Sequence, residues 1–257
     1  MLNSDGIFDT HAHYDDGAFD SDRDEVLQKA FAAGVRWVLN CGERVLTSRN
    51  SMELTRRYPQ FYFAAGIHPE HANENWENDL SEIEKLASDE KCAAIGEIGL
   101  DYHYPGFDRA KQKELFLRQL ELARKLGKAA VVHSRDATAD MVEILSAYKG
   151  TAVLHCFSES PEIAKAYLKK GFYLGFGGVV TFQNARRAVE SAIICPLDKM
   201  LLETDCPYMA PTPYRGKRND SSLLPLVAEK LAQIKGVTPE EIVESTARNA
   251  KTLFHII

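Results

Sequence analysis

The sequence lacks the features that mark membrane and secreted proteins. No run approaches the ~20 apolar residues that a membrane span needs, and the first residues have neither the basic nor the apolar region of a secretory signal. The five cysteines are odd in number, widely scattered and without a C-x-x-C pair, which argues against a disulfide framework or a zinc knuckle. We therefore expect a cytoplasmic protein without membrane contact.

The chain also lacks an excess of positive charge. Its 31 lysines and arginines against 37 aspartates and glutamates give a net charge of −6. Proteins that coat nucleic acid are normally basic, so this balance argues against one but leaves room for an enzyme with a local phosphate-binding patch. A hydrophobic content of 45% and a charged content of 26% are typical of globular proteins and exclude disorder. No obligate protein partner is evident.

Eight short β-rich runs recur at intervals that leave room for one helix each. Segments with helical spacing lie between them, such as 22–33 before Gly34 and 109–126 before Gly127, while Ser160 and Thr238 act as caps before proline. This alternation predicts a single domain, residues 1–257, folded as a (β/α)8 TIM barrel of the α/β class. A doubly wound sheet is the alternative, but no G-x-G-x-x-G loop follows the first strand. The runs are 6–9, 35–39, 61–65, 93–96, 129–132, 151–154, 172–175 and 200–202.

Histidines and carboxylates follow these runs at the end where barrel enzymes place their chemistry. His11 and His13 follow the first run, and alternate residues of an extended segment project to the same side. The predicted site also includes His68, Glu97, His133, His155, Glu203 and Asp205, which follow the third, fourth, fifth, sixth and eighth runs. Imidazoles and carboxylates suit zinc or manganese, and carboxylates suit magnesium, so the set predicts a divalent-metal site. His71, His103 and His255 fall outside the pattern and are predicted to be structural.

Glu97 stands between glycines at the end of its strand. Its two carboxylate oxygens could bridge a pair of ions about 3.5–4 Å apart, an arrangement used in hydrolysis. The alternative is a buried carboxylate paired with a neighbouring cation. We favour the bridging interpretation.

A basic run after the eighth strand should flank the same mouth. Arg215, Lys217 and Arg218 are three cations within four residues, and we predict that they bind substrate phosphate, with Arg135 as a further candidate. The alternative is a solvated loop. Aromatic residues in the strand-end loops could stack on bases, although local packing is their more common role; they are Tyr102, Tyr104, Phe107, Phe157 and Tyr208.

Seven motifs occur in order along the chain: D-T-H-A-H from Asp9, G-I-H-P from Gly66, G-E-I-G-L-D-Y from Gly96, V-H-S-R from Val132, H-C-F-S from His155, L-E-T-D-C-P-Y from Leu202 and R-G-K-R-N from Arg215. Together they resemble the TatD family of metal-dependent hydrolases, within the amidohydrolase-like barrels. The resemblance covers essentially the whole chain, including the closing segment 246–254. Two departures occur: Glu70 follows Pro69 where the family often has a second histidine, and Asp220-Ser221 stands in place of Glu-Pro. The first departure, with His71 one place further on, puts in doubt any role for a second histidine in that loop. Neither departure affects the implied ligands.

The resemblance implies a distorted barrel with one or two divalent cations, and we expect two (Mg, Mn or Zn). By motif position, one would be held by His11, His13, Glu97 and Asp205, and the other by Glu97, His133 and His155. Family members are described as Mg-dependent deoxyribonucleases, some of them 3' exonucleases, so DNA or another phosphodiester is the expected substrate.

Our hypothesis is metal-assisted hydrolysis of a phosphodiester by an activated water. Asp205 would take the proton, His68 would contact a phosphate oxygen or the leaving group, and Glu203 would orient a ligand or water. Hydrolysis of an ester or amide, such as aminoacyl-tRNA, and a non-catalytic binding barrel remain as alternatives.

Overall fold

The computed structural model describes residues 6–72 and 75–256, in which eight parallel strands alternate with helices. The strands are β1 (Ile7–Ala12), β2 (Val35–Cys41), β3 (Phe61–Ala65), β4 (Cys92–Asp101), β5 (Ala129–Arg135), β6 (Ala152–Leu154), β7 (Tyr173–Phe176) and β8 (Met200–Leu202). The helices are α1 (Arg23–Ala32), α2 (Val45–Arg57), α3 (Trp76–Leu86), α4 (Arg109–Leu126), α5 (Thr138–Ala147), α6 (Pro161–Lys169), α7 (Arg186–Ile194), α8 (Leu224–Lys235) and α9 (Pro239–Phe254). Each strand pairs with the next along the chain, which confirms the predicted TIM barrel.

The barrel closes where β1 meets the segment after β8. Ala12 forms a parallel bridge with Cys206, and the amide of Asp205 donates to the carbonyl of His11 at 2.9 Å. The amide of His13 donates in turn to the carbonyl of Cys206, also at 2.9 Å. The seam between first and last strands is therefore made by the chain segments that carry predicted metal ligands.

Three strands extend far enough beyond the predicted runs to include predicted site residues. β1, β4 and β5 continue past the apolar runs, so that His11, Glu97 and His133 lie within strands instead of following them. In β4 the register shifts between Ile95 and Ile98, after which Gly99 pairs with His133. An apolar pattern alone does not reveal that these strands continue through polar residues.

The helices begin and end close to the predicted positions. Asp108 caps α4 by accepting from the amides of Ala110 and Lys111, and Gly127 ends that helix in the left-handed conformation at φ +64°. Thr238 caps α9 through the amide of Glu241. No helix within the described ranges is long and apolar enough to cross a membrane.

The end of the barrel opposite the predicted site is filled by apolar side chains. Phe8, Val131 and Leu201 belong to a buried cluster that continues into α9, and the ring of Phe8 lies 6.1 Å from that of Phe254. A larger cluster packs the outer faces of the strands against the surrounding helices. The predicted site residues thus lie at the other end of the barrel, at the carboxyl ends of the strands.

Candidate metal centre

The six predicted metal ligands converge at the carboxyl ends of the strands. Most are deeply buried, while His133 and Asp205 keep some exposure to solvent. They come from β1, β4, β5 and the segments that follow β1, β6 and β8, and they are His11, His13, Glu97, His133, His155 and Asp205.

One group of donors, the first half of the centre, consists of His11, His13, Asp205 and Oε2 of Glu97. The Nε2 atoms of the two histidines are 3.1 Å apart, and they lie 3.2 and 3.5 Å from Glu97 Oε2. Asp205 Oδ1 lies 3.7 Å from the Nε2 of His11 and 3.5 Å from that of His13. Two donors about 2.1 Å from one ion, at angles of 90–120°, would be about 3.0–3.6 Å apart. The spacing therefore fits a divalent cation.

The second half of the centre consists of His133, His155 and Oε1 of Glu97. Oε1 lies 3.0 Å from His133 Nδ1 and 2.8 Å from His155 Nε2. The two ring nitrogens are 3.2 Å apart. Each oxygen of the Glu97 carboxylate thus faces its own pair of histidines, the arrangement expected of a bridging ligand.

The histidines of the first half are anchored by the main chain and a buried network. His13 Nδ1 lies 2.9 Å from the carbonyl oxygen of Cys41, which fixes Nδ1 as the donor and turns Nε2 to the centre. Beneath His11, Asp9 accepts from the His11 amide at 3.3 Å and from the hydroxyls of Thr204 and Ser221 at 2.7 and 2.6 Å. This network ties β1 to the segment after β8.

Of the two histidines in the second half, only His133 is anchored by a carboxylate. His133 Nε2 lies 3.2 Å from Asp101 Oδ2, which orients its ring with Nδ1 toward Glu97. His155 Nδ1 lies 3.8 Å from Glu203 Oε1, beyond hydrogen-bond distance, and no hydrogen-bond partner for this nitrogen occurs among the described residues. In the second half, a side chain, that of Asp101, orients the ring of His133, whereas in the first half a main-chain carbonyl orients the ring of His13.

The electrostatics of the centre favour ionised carboxylates. Burial opposes the charge of Glu97, but His155 and His11 outweigh it and hold its pKa well below the usual range. Burial also opposes the charge of Asp205, but the hydrogen bond with His13 and the charge of His155 lower its pKa. Both carboxylates are thus available as metal ligands at neutral pH.

Each half contains at least one histidine that holds its proton strongly in the metal-free protein, and the pKa of His155 is raised as well because Glu97 outweighs its burial. Burial disfavours the charge of His13, but the hydrogen bond to Asp205 and the charge of Glu97 raise its pKa to about 10. For His133, burial is likewise outweighed by hydrogen bonds to Asp101 and Glu97, and its pKa is about 10. A metal ion would have to displace these two protons.

His68 lies beside the centre, with Nε2 3.8 Å from Glu97 Oε1. Burial and the neighbouring His133 lower its pKa to about 3, so the ring is neutral. Its Nδ1 accepts from the Glu70 amide at 3.3 Å, which leaves the proton on Nε2, directed to the centre. The predicted contact with a phosphate oxygen remains a prediction that this orientation favours.

Glu203 is buried behind His155. Its Oε1 accepts from the amide of Cys156, and its Oε2 has no partner among the described residues. Burial raises its pKa to about 8. A Cβ at position 175 would meet Glu203 Oε2 at 2.0 Å, so Gly175 makes the space for this carboxyl. Its closest polar contact is with the loop after β6, and its predicted role in orienting a ligand or water is untested.

The three predicted phosphate-binding cations in the loop after β8 differ in whether they pair with a carboxylate. Arg215 and Lys217 are exposed in the loop after β8, with the Arg215 guanidinium 4.4 Å from the Phe182 ring. Arg218 pairs with both carboxylate oxygens of Asp22, at 2.9 and 2.6 Å. Its guanidinium is therefore occupied within the fold, while its predicted phosphate contact stays untested.

Arg135 and the loop aromatics differ in accessibility. The Arg135 guanidinium lies 5.2 Å from the exposed ring of Tyr104. Tyr102 donates its hydroxyl to Asp140 at 2.7 Å, and Phe157 is buried against other aromatic rings. Tyr208 is exposed, while Phe107 is partly buried. Tyr104 and Tyr208 therefore offer rings for stacking, whereas Phe157 packs in the core.

Sequence reasoning missed several residues that shape the site. Asp9 and Asp101 were not assigned roles, although they stand two residues before His11 and four after Glu97, on the same side of their strands. Glu43 lies with His13 and Glu97 in a further group whose donor atoms are within 4.8 Å of one another. Glu43 follows β2, which has no other polar strand-end signal. The contribution of Cys41 is a carbonyl and has no sequence signature.

The histidines predicted to be structural lie outside the centre. His103 Nδ1 is 2.8 Å from Asp136 Oδ2 at the surface. His71 belongs to a short 3-10 turn after β3, and His255 ends α9. None of the three belongs to a group of potential metal ligands within the described part of the chain.

The similarity to known proteins extends over the whole barrel. Residues 8–255 match the family model described as TatD related DNase. The uncharacterized metal-dependent hydrolase YabD of Bacillus subtilis is 43% identical, covering 97% of this chain and 99% of its own. The 3'-5' ssDNA/RNA exonuclease TatD of Salmonella typhimurium is 34% identical, covering 98% and 100%. The crystal structure of YJJV, a TatD homolog from Escherichia coli K12, has a TM-score of 0.92 at 27% identity, covering 98% of each chain.

Proposed function

This chain belongs to the TatD family of metal-dependent hydrolases, and we propose that it is a nuclease that cleaves phosphodiester bonds of single-stranded DNA as a 3'-5' exonuclease. The observation that carries the proposal is the Glu97 carboxylate, whose two oxygens each face a separate pair of histidines. Such a shared carboxylate suits the hydrolysis of phosphodiesters by two ions.

We propose that one cation is held by His11, His13, Asp205 and Glu97, and the other by Glu97, His133 and His155. The buried donor set of imidazoles and ionised carboxylates fits divalent zinc, manganese or magnesium. Bound there, the cations supply Lewis acidity, which acidifies water and neutralises charge on phosphate oxygens.

The protein's own residues provide for the protons and for phosphate contacts. Asp205 is ionised and turns Oδ1 to the two histidines, which leaves Oδ2 to accept the proton of the attacking water. The neutral His68 directs its Nε2 proton toward the centre, where it can donate to a phosphate oxygen. Arg215 and Lys217 provide exposed cations beside the mouth.

Two further observations support this assignment. The Salmonella relative is named a 3'-5' ssDNA/RNA exonuclease, and the net charge of −6 favours a short or single-stranded substrate over a long duplex. All five cysteines are free thiols, four of them buried. Free thiols fit the reducing cytoplasm, which is the location that we propose.

The test is hydrolysis by metal-stripped protein to which Mg, Mn or Zn is returned. The substrates are end-labelled single-stranded DNA, a generic phosphodiester and a panel of esters and amides that includes aminoacyl-tRNA. We expect metal-dependent release of nucleotides from the 3' end. Asp205→Asn should remove this activity, whereas Asp198→Asn, an exposed aspartate before β8, is the matched control and should retain it.

The possible results separate the alternatives. Hydrolysis of esters or amides alone would keep the metal centre and overturn the nuclease assignment. Internal cleavage of DNA would replace the exonuclease by an endonuclease. Equal activity of Asp205→Asn and wild type would show that hydrolysis arises elsewhere or from a contaminant.

A further inference from the structure

A cavity of about 400 Å³ opens among the segments that follow β6, β7 and β8, and its walls are rich in arginine. It is lined by Ser158 from the loop after β6, Phe182 from the segment after β7, Arg186 and Arg187 from the start of α7, and Arg215 from the loop after β8. Since the loops after β6 and β8 also carry His155 and Asp205, this arginine pocket shares the barrel mouth with the metal centre.

The walls of the arginine pocket are held together by contacts between loops. The Thr212 amide donates to the hydroxyl of Thr181 at 2.8 Å, which joins the loop after β8 to the segment after β7. Ser191 of α7 donates to the carbonyl of Glu159 at 2.8 Å, which joins α7 to the loop after β6. The Arg215 guanidinium rests 4.4 Å from the Phe182 ring. The segments that carry the pocket are therefore joined within the fold, and the arginine side chains lie exposed on them.

The charge of the arginine pocket is largely uncompensated. None of its lining residues is acidic. Arg186 pairs with Glu190 at 2.7 Å, but Arg187 and Arg215 have no carboxylate within 4.0 Å among the described residues. Two guanidinium groups in a cavity of this size favour an anion such as phosphate.

A second cavity at the mouth has the opposite charge. About 260 Å³ in volume, it borders the metal centre through His13 and is lined by Asp15, Asp16 and Glu43, with Arg44 as the one arginine or lysine among the described lining residues. A polyanion that passed this acidic pocket would be repelled, whereas the arginine pocket would attract it. The mouth is therefore electrostatically one-sided.

From this asymmetry we infer that the arginine pocket binds a second phosphate of the substrate strand, next to the phosphate that is cleaved. The strand then leaves the metal centre over the loops after β6, β7 and β8, and the acidic pocket faces the strand's terminal nucleoside. The inference rests on the proposed nuclease function and adds the path of the strand. It requires a substrate with at least two phosphates for full binding.

The test measures binding and hydrolysis in the metal-loaded protein. Binding is followed by fluorescence anisotropy with a labelled phosphorothioate oligothymidylate, which resists hydrolysis, over a series of salt concentrations. Arg187→Ala should weaken binding severalfold and reduce the slope of log affinity against log salt by about 0.7, the value for one contact with a single-strand phosphate. Arg118→Ala on α4, an exposed arginine outside the pocket, removes the same charge and should leave both quantities unchanged.

Hydrolysis then distinguishes the pocket from the metal centre. On the p-nitrophenyl ester of thymidine monophosphate, which has one phosphate, Arg187→Ala should lose much less kcat/KM than on an oligonucleotide. Equal losses on both substrates would place Arg187 at the cleaved phosphate and overturn the inference, as would equal weakening by Arg118→Ala. If wild type hydrolyses neither substrate but binds DNA through Arg187, the nuclease proposal fails and the pocket stands. If DNA binding does not depend on Arg187, the inference about the arginine pocket fails and the nuclease proposal is unaffected.

Discussion

The two halves of the metal centre present similar donors but hold them in different ways. In the first half, the ring of His13 is fixed by a main-chain carbonyl, that of Cys41. In the second half, the ring of His133 is fixed by the side chain of Asp101. A carbonyl is present whatever residue occupies position 41, whereas Asp101 can be replaced. The first half is thus tied to the fold, and the second can be altered by a single side chain.

The largest effect should come from the residue that the halves share. Glu97→Gln keeps the shape of the side chain but removes the charge that faces both histidine pairs, so both ions should be lost. Loss of several kcal/mol of charge stabilisation corresponds to roughly a thousandfold or greater drop in kcat. Metal content by mass spectrometry and turnover by the nucleotide-release assay check this. Wild-type content of two ions with normal turnover would contradict the bridging role.

Asp101→Asn should affect the second half alone. The side-chain amide of the new asparagine can still accept from the main-chain amide of His103 through Oδ1. It has no negative charge, however, and no longer holds His133 as a carboxylate does. Loss of such a support typically costs about 10–100-fold in metal affinity or activity. Titration of the metal-free variant should show one weakened site and one normal site. Equal weakening of two sites would mean that the halves are not independent.

Metal binding should release protons from both halves. His13 and His133 have pKa values of about 10 in the metal-free protein, and each must lose a proton to become a ligand. Below pH 10 the apparent affinity should therefore rise with pH, about tenfold per pH unit for each proton released. Calorimetry in buffers of different ionisation enthalpy counts these protons. We expect at least two in wild type and fewer in Asp101→Asn, and a count of zero would contradict the assignment.

The smallest effect should come from Cys41→Ser. The thiol Sγ lies 3.6 Å from His11 Nδ1, but His13 is held by the carbonyl of the same residue, which the substitution preserves. Metal affinity of the first half should stay within about threefold of wild type, less than 1 kcal/mol. Isothermal titration of both proteins measures the difference. A loss as large as that of Asp101→Asn would show that the thiol, and not the main chain, supports this half.

Patterns local to the sequence predicted the barrel and the gathering of the candidate ligands at one end of it. Apolar runs and helix caps are set by neighbouring residues, and the alternation of strand residues places His11 and His13 on one side. The anchoring contacts could not be predicted in this way. The carbonyl of Cys41 has no side-chain signature, and the pairing of Arg218 with Asp22 joins segments that meet only in the folded protein. Such contacts decide whether a cation in a predicted binding loop is available.

The seam between β1 and β8 bears on how the protein is made. Asp205 and His11, from distant parts of the chain, are joined by a hydrogen bond between their backbones, and both contribute to the first half of the centre. A chain still emerging from the ribosome has no first half until the segment after β8 has been synthesised and has closed the barrel. A hydrolase built in this way completes its centre only when its synthesis is nearly finished, so prematurely terminated chains lack the first half.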